Sequence, residues 1–290
     1  MSLDFLPEDC FAHILSFTSP SDACRLSLVS SMARSAADSD NVWEKFLPSD
    51  YQEILSRLVW KVVYSSKKDL FFRLCYPHLI DGGRKSFSIE KSTSKKLYML
   101  SARELSITWA GNPLYWSWKP LLQSRFAEVV ELRTITWLEI HGKINTRMIS
   151  AKTVYGAYLI VKFADRAYGL DSLPSEVSLE VGDVKVQGTV YLRCQENKKQ
   201  DPDRMYFLNR VQTLRSRVSR GGEGKRVVSE REDGWFEIEL GSFYNVGGDY
   251  NNNNNNNNNK EEVKMCLKEV KGEHLKGGLI VEGIEIRPKH

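Results

Sequence analysis

Long apolar runs are missing from this 290-residue sequence: nowhere are there about 18 consecutive apolar residues, so a membrane-spanning helix is excluded. The opening MSLDFLPEDC has no basic segment ahead of an apolar one, and no Asn-X-Ser/Thr acceptor occurs, so neither secretion nor N-glycosylation is expected. Cysteine is scarce. Cys10, Cys24, Cys75, Cys194 and Cys266 are an odd, scattered set that makes no disulfide framework, and a reducing compartment, the cytoplasm or nucleus, is expected. No glycine-rich phosphate loop precedes a helix. The five histidines (His13, His78, His141, His274, His290) have no spacing with cysteine that would assemble four zinc ligands, so no metal and no other cofactor is expected.

Charge of one sign is also lacking overall, with a net of only +4. Its distribution is uneven, because residues 193–231 hold eleven Lys or Arg against five Asp or Glu. Arg210, Arg215, Arg217, Arg220, Lys225 and Arg226 are available to phosphates, but basic residues scattered around Gly221 and Gly222 read more simply as a solvated loop, and nucleic acid is not the expected partner.

What is present is ordinary globular composition with an aromatic surplus: 41% apolar, 27% charged and seven tryptophans. At this length two units are expected. From Leu6 to about Leu58 the apolar spacing is helical, with Cys10, Phe11, Ile14 and Leu15 on one face. Ser19, Pro20 and Asp22 form a helix-start signal, in which a hydroxyl caps, proline fills the first position and an acid sits in the first turn. Further helices are expected with Val42, Trp43 and Phe46, with Tyr51, Ile54, Leu55 and Leu58, and with Leu70, Phe71, Leu74 and Cys75.

After Gly82 and Gly83 the period changes to two, and strands are expected over 87–90, 105–109, 129–140, 154–163, 177–192, 235–240, 263–270 and 279–286. That succession predicts an α+β chain of several domains: a helical unit at 1–48, a helical linker at 49–84 and an antiparallel, jelly-roll-like β-sandwich at 85–290. Nine asparagines at 251–259 offer nothing to bury and are expected to form a disordered hairpin loop.

Residues 6–48, LPEDCFAHILSFTSPSDACRLSLVSSMARSAADSDNVWEKFLP, resemble an F-box of the plant kind found ahead of a lectin domain. The resemblance implies docking to a Skp-type adaptor and through it to a cullin ubiquitin ligase, with Leu6, Pro7, Ile14, Leu15, Leu26, Val29 and Trp43 as the apolar anchor and Glu8 and Ser30 on its rim. Independently of that likeness, a module of this size owns little core, so its exposed apolar residues have reason to be covered by another chain.

Four later segments, ARELSITWAGNPLYWSW (102–118), WLEIHGKINTRMIS (137–150), DGWFEIELG (233–241) and GGLIVEGIEIRPK (277–289), resemble the phloem protein 2, or Nictaba-like, lectins. This likeness implies binding of N-acetylglucosamine oligomers and related glycans through Trp109, Trp116, Glu262 and Glu269. An indole accepts the C–H face of a sugar ring, and a carboxylate accepts from its hydroxyls and acetamido N–H. In the alternative reading Trp109 ends a strand in the core, and Trp116 or Trp118 covers the sandwich edge. The glutamates lie seven apart, on opposite faces of a regular strand, so a bulge or bend is required for both to reach one ligand.

Together these resemblances imply a non-catalytic substrate receptor of a ubiquitin ligase, holding the adaptor at one end and a glycan or glycoprotein at the other. A lectin without ligase assembly, and a β domain that binds protein or RNA instead of sugar, are the other readings. Paired carboxylates for glycoside hydrolysis would have to flank one bond, which the strand parity opposes.

Overall fold

Short helices with good caps open the chain. The computed structural model describes residues 7–192, 225–247 and 262–289. α1 (Glu8–Leu15) is followed by α2 (Pro20–Leu26), where the Ser19 hydroxyl accepts from the Asp22 N–H at 3.1 Å and Pro20 occupies the first turn, as that start signal predicts. α3 (Ser31–Asp38) was not expected. Its inward face is alanine (Ala33, Ala36, Ala37), and its cap is Ser30, which accepts from Ala33 N–H. α4 (Asp40–Phe46), α5 (Tyr51–Ser56) and α6 (Lys67–Leu74) complete the helices among the described residues.

None of these helices exceeds eight residues, so none would persist alone in water and packing must hold them. Trp43 supplies much of it. Fully buried, it donates its indole N–H to Ala37 O at 2.6 Å and lies against Phe46, Phe71 and Phe72, which ties α6 to α4.

The strands are β1 (His78–Ile80), β2 (Lys85–Ile89), β3 (Lys96–Ser101), β4 (Ser106–Ile107), β5 (Trp116–Lys119), β6 (Val129–Leu132), β7 (Leu138–Asn145), β8 (Thr153–Tyr168), β9 (Ser175–Val181), β10 (Val184–Val190), β11 (Lys225–Arg226), β12 (Val228–Glu230), β13 (Phe236–Asn245), β14 (Glu262–Glu269) and β15 (Gly277–Pro288). They make two sheets. One runs β1-β2-β3-β15-β8-β13-β12, with β6 also on β15 and β5 on β6; the other runs β11-β10-β9-β14-β7-β4. Every pairing is antiparallel except β10 with β11. Nine and six strands exceed the eight of a simple jelly roll, and the architecture is a two-layer sandwich.

The layers meet closely at glycine. A Cβ on Gly142 of β7 would stand 2.6 Å from Ile284 Cδ1 of β15, and one on Gly241 of β13 would stand 2.6 Å from Leu179 Cβ of β9. The apolar core is continuous from Leu15 and Trp43 through Phe71 and Phe87 to Leu159 and Ile284, so helices and sandwich share one interior. The Asn251 to Asn259 tract and Cys194 lie outside the described residues.

The expected boundary at residue 85 falls inside the sheet, which begins at His78. Leu58 bridges Ile80, and the Val59 N–H donates to Leu79 O at 2.9 Å, which lays the connecting segment along β1. Arg57 clamps Asp81 through two hydrogen bonds of 2.9 Å. The guanidinium, seconded by the Lys85 ammonium, holds the Asp81 carboxyl at about 2 against partial burial. A carboxyl depressed in the folded state stabilises fully above its unfolded value of about 3.9, and that contribution disappears as pH falls toward 2. Asp81→Asn, which tolerates the same positive φ of 53°, is therefore expected to lower the thermal midpoint at neutral pH, with the gap to wild type closing between about pH 4 and pH 2. A gap independent of pH would show that the ion pair is not its source.

Candidate functional site

The helical module leaves large apolar side chains in solvent. In α1, Phe11, Ala12 and Leu15 turn inward, which at 3.6 residues per turn sends Ile14 out, and Phe17 follows it; beyond α2, Leu28 and Val29 are exposed as well. Of the anchor expected from sequence, Pro7, Ile14 and Val29 are accessible, and Leu26 is half-buried. Leu15 and Trp43 are corrected to core residues: both are fully enclosed, Trp43 because α6 lies over α4. Leu6 and the side chain of Glu8 lie outside the described residues, and Ser30 is occupied as the α3 cap.

The four residues expected at the sugar site divide between two faces. Trp116 is 1% exposed, with its indole N–H given to Thr108 O at 3.0 Å, and belongs to the core. Glu269 is 4% exposed and ion-paired to Lys276. β14 is regular against both neighbours, with no bulge, so Glu262 points to the other face and stands opposite Asn145 while Glu269 stands opposite Leu138, about 23 Å along the strand. Glu262 pairs with Lys143 at 3.4 Å. Trp109 alone of the four presents its ring: it is 51% exposed, rests against Tyr115, and holds φ at +59°. Bulky residues rarely occupy that left-handed region, and such strain tends to be kept at functional positions.

Around Trp109 the outer face of the six-stranded sheet carries a second group. Thr108 N–H donates to Glu139 O at 3.1 Å, which brings the strand end bearing Trp109 beside β7. Along β7, Leu138, Ile140 and Gly142 face the core while Glu139, His141 and Lys143 face out. Trp137, 44% exposed, donates its indole N–H to Glu139 Oε2 at 3.0 Å, and His141 Nε2 lies 3.0 Å from the other oxygen. Those two partners, the indole first, keep the Glu139 carboxyl below its ordinary range despite partial burial. It is thus an ionised acceptor at neutral pH, unsuited to act as a general acid.

Glu139 stands in a cleft of about 800 Å³ that runs over β7, β14, β9 and β10. Sequence reasoning missed Trp137, Glu139 and His141, although their alternation with Leu138 and Ile140 carried the signal. Cys266 opens on the same cleft, but burial pushes its thiol up to about 11, leaving almost no thiolate for nucleophilic work. Among the described residues no three His, Cys, Asp or Glu side chains gather as a metal site, and no helix is long and apolar enough to cross a membrane. The basic residues from Arg210 to Arg220 lie outside the described residues, and Arg226 is taken by Glu239 at 3.1 Å.

Comparison with known proteins matches both halves. The profile of the F-box domain matches residues 3–45, and that of Phloem protein 2 matches residues 95–288. Three curated Arabidopsis thaliana proteins are similar over nearly the whole length. F-box protein PP2-B15 is 49% identical, covering 98% of this chain and 96% of its own. F-box protein VBF is 48% identical over 98% of this chain and 99% of its own, and F-box protein PP2-B13 is 46% identical over 98% of each.

Proposed function

Because the chain belongs to the F-box proteins that carry a phloem protein 2 domain, we propose that it is the substrate-recognition subunit of a Skp, cullin and F-box type ubiquitin ligase, and that its β domain binds N-acetylglucosamine-containing glycans or glycoproteins. The observation that carries the docking half is the exposure of Ile14, Phe17, Leu28 and Val29 on a module whose interior is already filled by Leu15, Trp43 and Phe71. Much of their apolar surface is left uncovered by the fold of this chain and is free to be covered by an apolar adaptor surface. The receptor itself carries out no bond-making step. It raises the local concentration of its target beside the ligase, in the cytoplasm or nucleus, where the free cysteines among the described residues fit a reducing milieu.

On the ligand side, the exposed ring of Trp109 and the carboxylate of Glu139 on the adjoining strand support the lectin reading better than the enclosed Trp116 and Glu269 do. The single substitutions Ile14→Asp and Val29→Asp test docking, since exposed positions rarely move stability by more than about 0.5 kcal/mol. Each is expected to weaken capture of a Skp-type adaptor by about thirtyfold or more, the worth of a contact of ~2 kcal/mol. Undiminished co-purification of both variants would remove the assigned contact, and sugar binding by a chain that captures no adaptor would make it a plain lectin.

A further inference from the structure

We propose that the glycan lies on the outer face of the six-stranded sheet, stacked on Trp137 beside the cleft that Glu139 lines, with Glu139 as its principal acceptor, and that the ligand is a neutral oligomer of N-acetylhexosamine. This rests on the lectin reading of the β domain and replaces the position of the ligand, not its class.

Trp137 is the first support. The residue is 44% exposed, while its N–H is fixed on Glu139 Oε2 at 3.0 Å, so the indole is held in one orientation before any ligand arrives. Ordering a side chain in advance removes part of the entropic cost of binding. Glu139 is in turn steadied by His141 at 3.0 Å and approached by the Thr108 hydroxyl at 3.5 Å. Trp109 stands at the same end of the sheet, one residue beyond Thr108, whose N–H is bonded to Glu139 O, so a second exposed indole lies near this group in the fold.

The cleft beyond Glu139 is the second support. Its volume of about 800 Å³ lies within the range of small-ligand sites, and Ser106, Gln187 and Thr189 add uncharged hydrogen-bonding groups. Its charges largely offset one another: Lys143, Lys185, Lys264 and Lys268 stand against Glu139, Glu176 and Glu180, and Lys143 also meets Glu262 at 3.4 Å. Lys264 faces Glu180 at 3.6 Å, Lys268 faces Glu176 at 3.6 Å, and Lys185 lies directly across the hairpin from Glu180. A surface whose lysines already have carboxylate neighbours exerts little net field on a polyanion, whereas hydroxyl and acetamido groups can exchange hydrogen bonds with either sign. A ligand with an apolar ring face, many hydroxyls and no charge fits both the indole and this floor.

The test is calorimetric titration of the full chain with N,N′,N″-triacetylchitotriose. Trp137→Ala is expected to weaken binding by about tenfold or more. Glu139→Gln, which keeps an acceptor for the indole but loses the charge, is expected to weaken it by about fivefold. Trp60→Ala, an exposed tryptophan of the helical connection, should bind as wild type does, and all three variants should keep the wild-type unfolding midpoint. Wild-type affinity in both Trp137→Ala and Glu139→Gln would overturn the proposed position while leaving the lectin reading intact. A wild-type chain that binds no chitotriose overturns both. Loss of an oligoribonucleotide, with sugar affinity unchanged, on Trp137→Ala would assign the cleft to RNA and overturn the proposal.

Discussion

Trp43→Ala is expected to destabilise the chain by about 3–5 kcal/mol and to abolish adaptor capture, although the side chain never reaches the adaptor face. Its ring is closed in by Phe46, Phe71 and Phe72 at centroid distances of 5.5, 5.1 and 5.3 Å, and the Lys68 ammonium caps it at 5.5 Å. Truncation leaves a cavity with three aromatic walls and orphans the buried Ala37 carbonyl, so a transfer loss and a hydrogen-bond loss coincide. Trp43→Phe separates them, restoring most of the volume but not the N–H, with an expected cost of about 1–3 kcal/mol. Denaturant unfolding followed by circular dichroism measures both. Because the core runs unbroken from Trp43 through Phe71 into the sandwich, one cooperative transition should shift as a whole. Two separate transitions would mean that the shared interior does not couple the units. The contrast with Val29→Asp is diagnostic: both variants weaken adaptor capture, but only the buried one lowers stability.

Where the residues carried a local mechanism, the fold was legible. Ser19, Pro20 and Asp22 marked a helix start by capping chemistry, and the expected strands fell on β8, β14 and β15, of which β14 alternates while β8 and β15 are runs buried on both faces. Where the deciding interaction is distant, it was not. α3 buries only Ala33, Ala36 and Ala37, whose helical spacing is present but whose small side chains stand out little from the serines around them. The single strand expected over 129–140 is two, because β6 pairs in one sheet and β7 in the other; Arg133 to Trp137 cross between them, pinned by Ile135 on Lys276. Those crossing residues are themselves strand formers, so propensity hid the break. At 177–192 the signal was there: Gly182 and Asp183 make a hairpin turn, with φ of +55° at the glycine.

The candidate site shows the same division. Trp109, Trp116, Trp118 and Trp137 are alike as letters, yet the two just outside strands, Trp109 and Trp137, meet solvent while Trp116, within β5, is enclosed. The parity of Glu262 and Glu269 was readable, however, and β14 obeys it without a bulge. Trp116 is enclosed because the turn through Asn112 folds its ring under Thr108, a contact eight residues away in sequence that no alternation pattern encodes.

Lys276→Met is expected to cost about 3–5 kcal/mol, because removing one partner of an enclosed ion pair leaves the other charge without compensation. Lys276 is 1% exposed and Glu269 4%; ammonium and Oε2 meet at 2.5 Å as an ion pair without hydrogen-bond alignment, while Oε1 accepts the Gly272 N–H at 2.8 Å. The same ammonium donates to Thr136 O, and the Lys276 backbone pairs with Ile135 in both directions, at 2.8 and 3.0 Å. The pair therefore staples the turn after β14 to the crossing segment that delivers Trp137. Losing it should loosen that segment and weaken sugar binding indirectly. The double variant Lys276→Met with Glu269→Gln removes both charges, keeps an acceptor for Gly272, and should recover most of the lost stability, since apolar or neutral replacements of a buried pair are often tolerated. Its chitotriose affinity then separates two roles for Glu269. If the glutamate only holds the turn, the refolded double variant binds as wild type does; if its carboxylate touches the ligand, binding stays lost after stability returns. The 4% exposure of that carboxylate and its protein partners Lys276, Gly272 and His274 favour the first outcome.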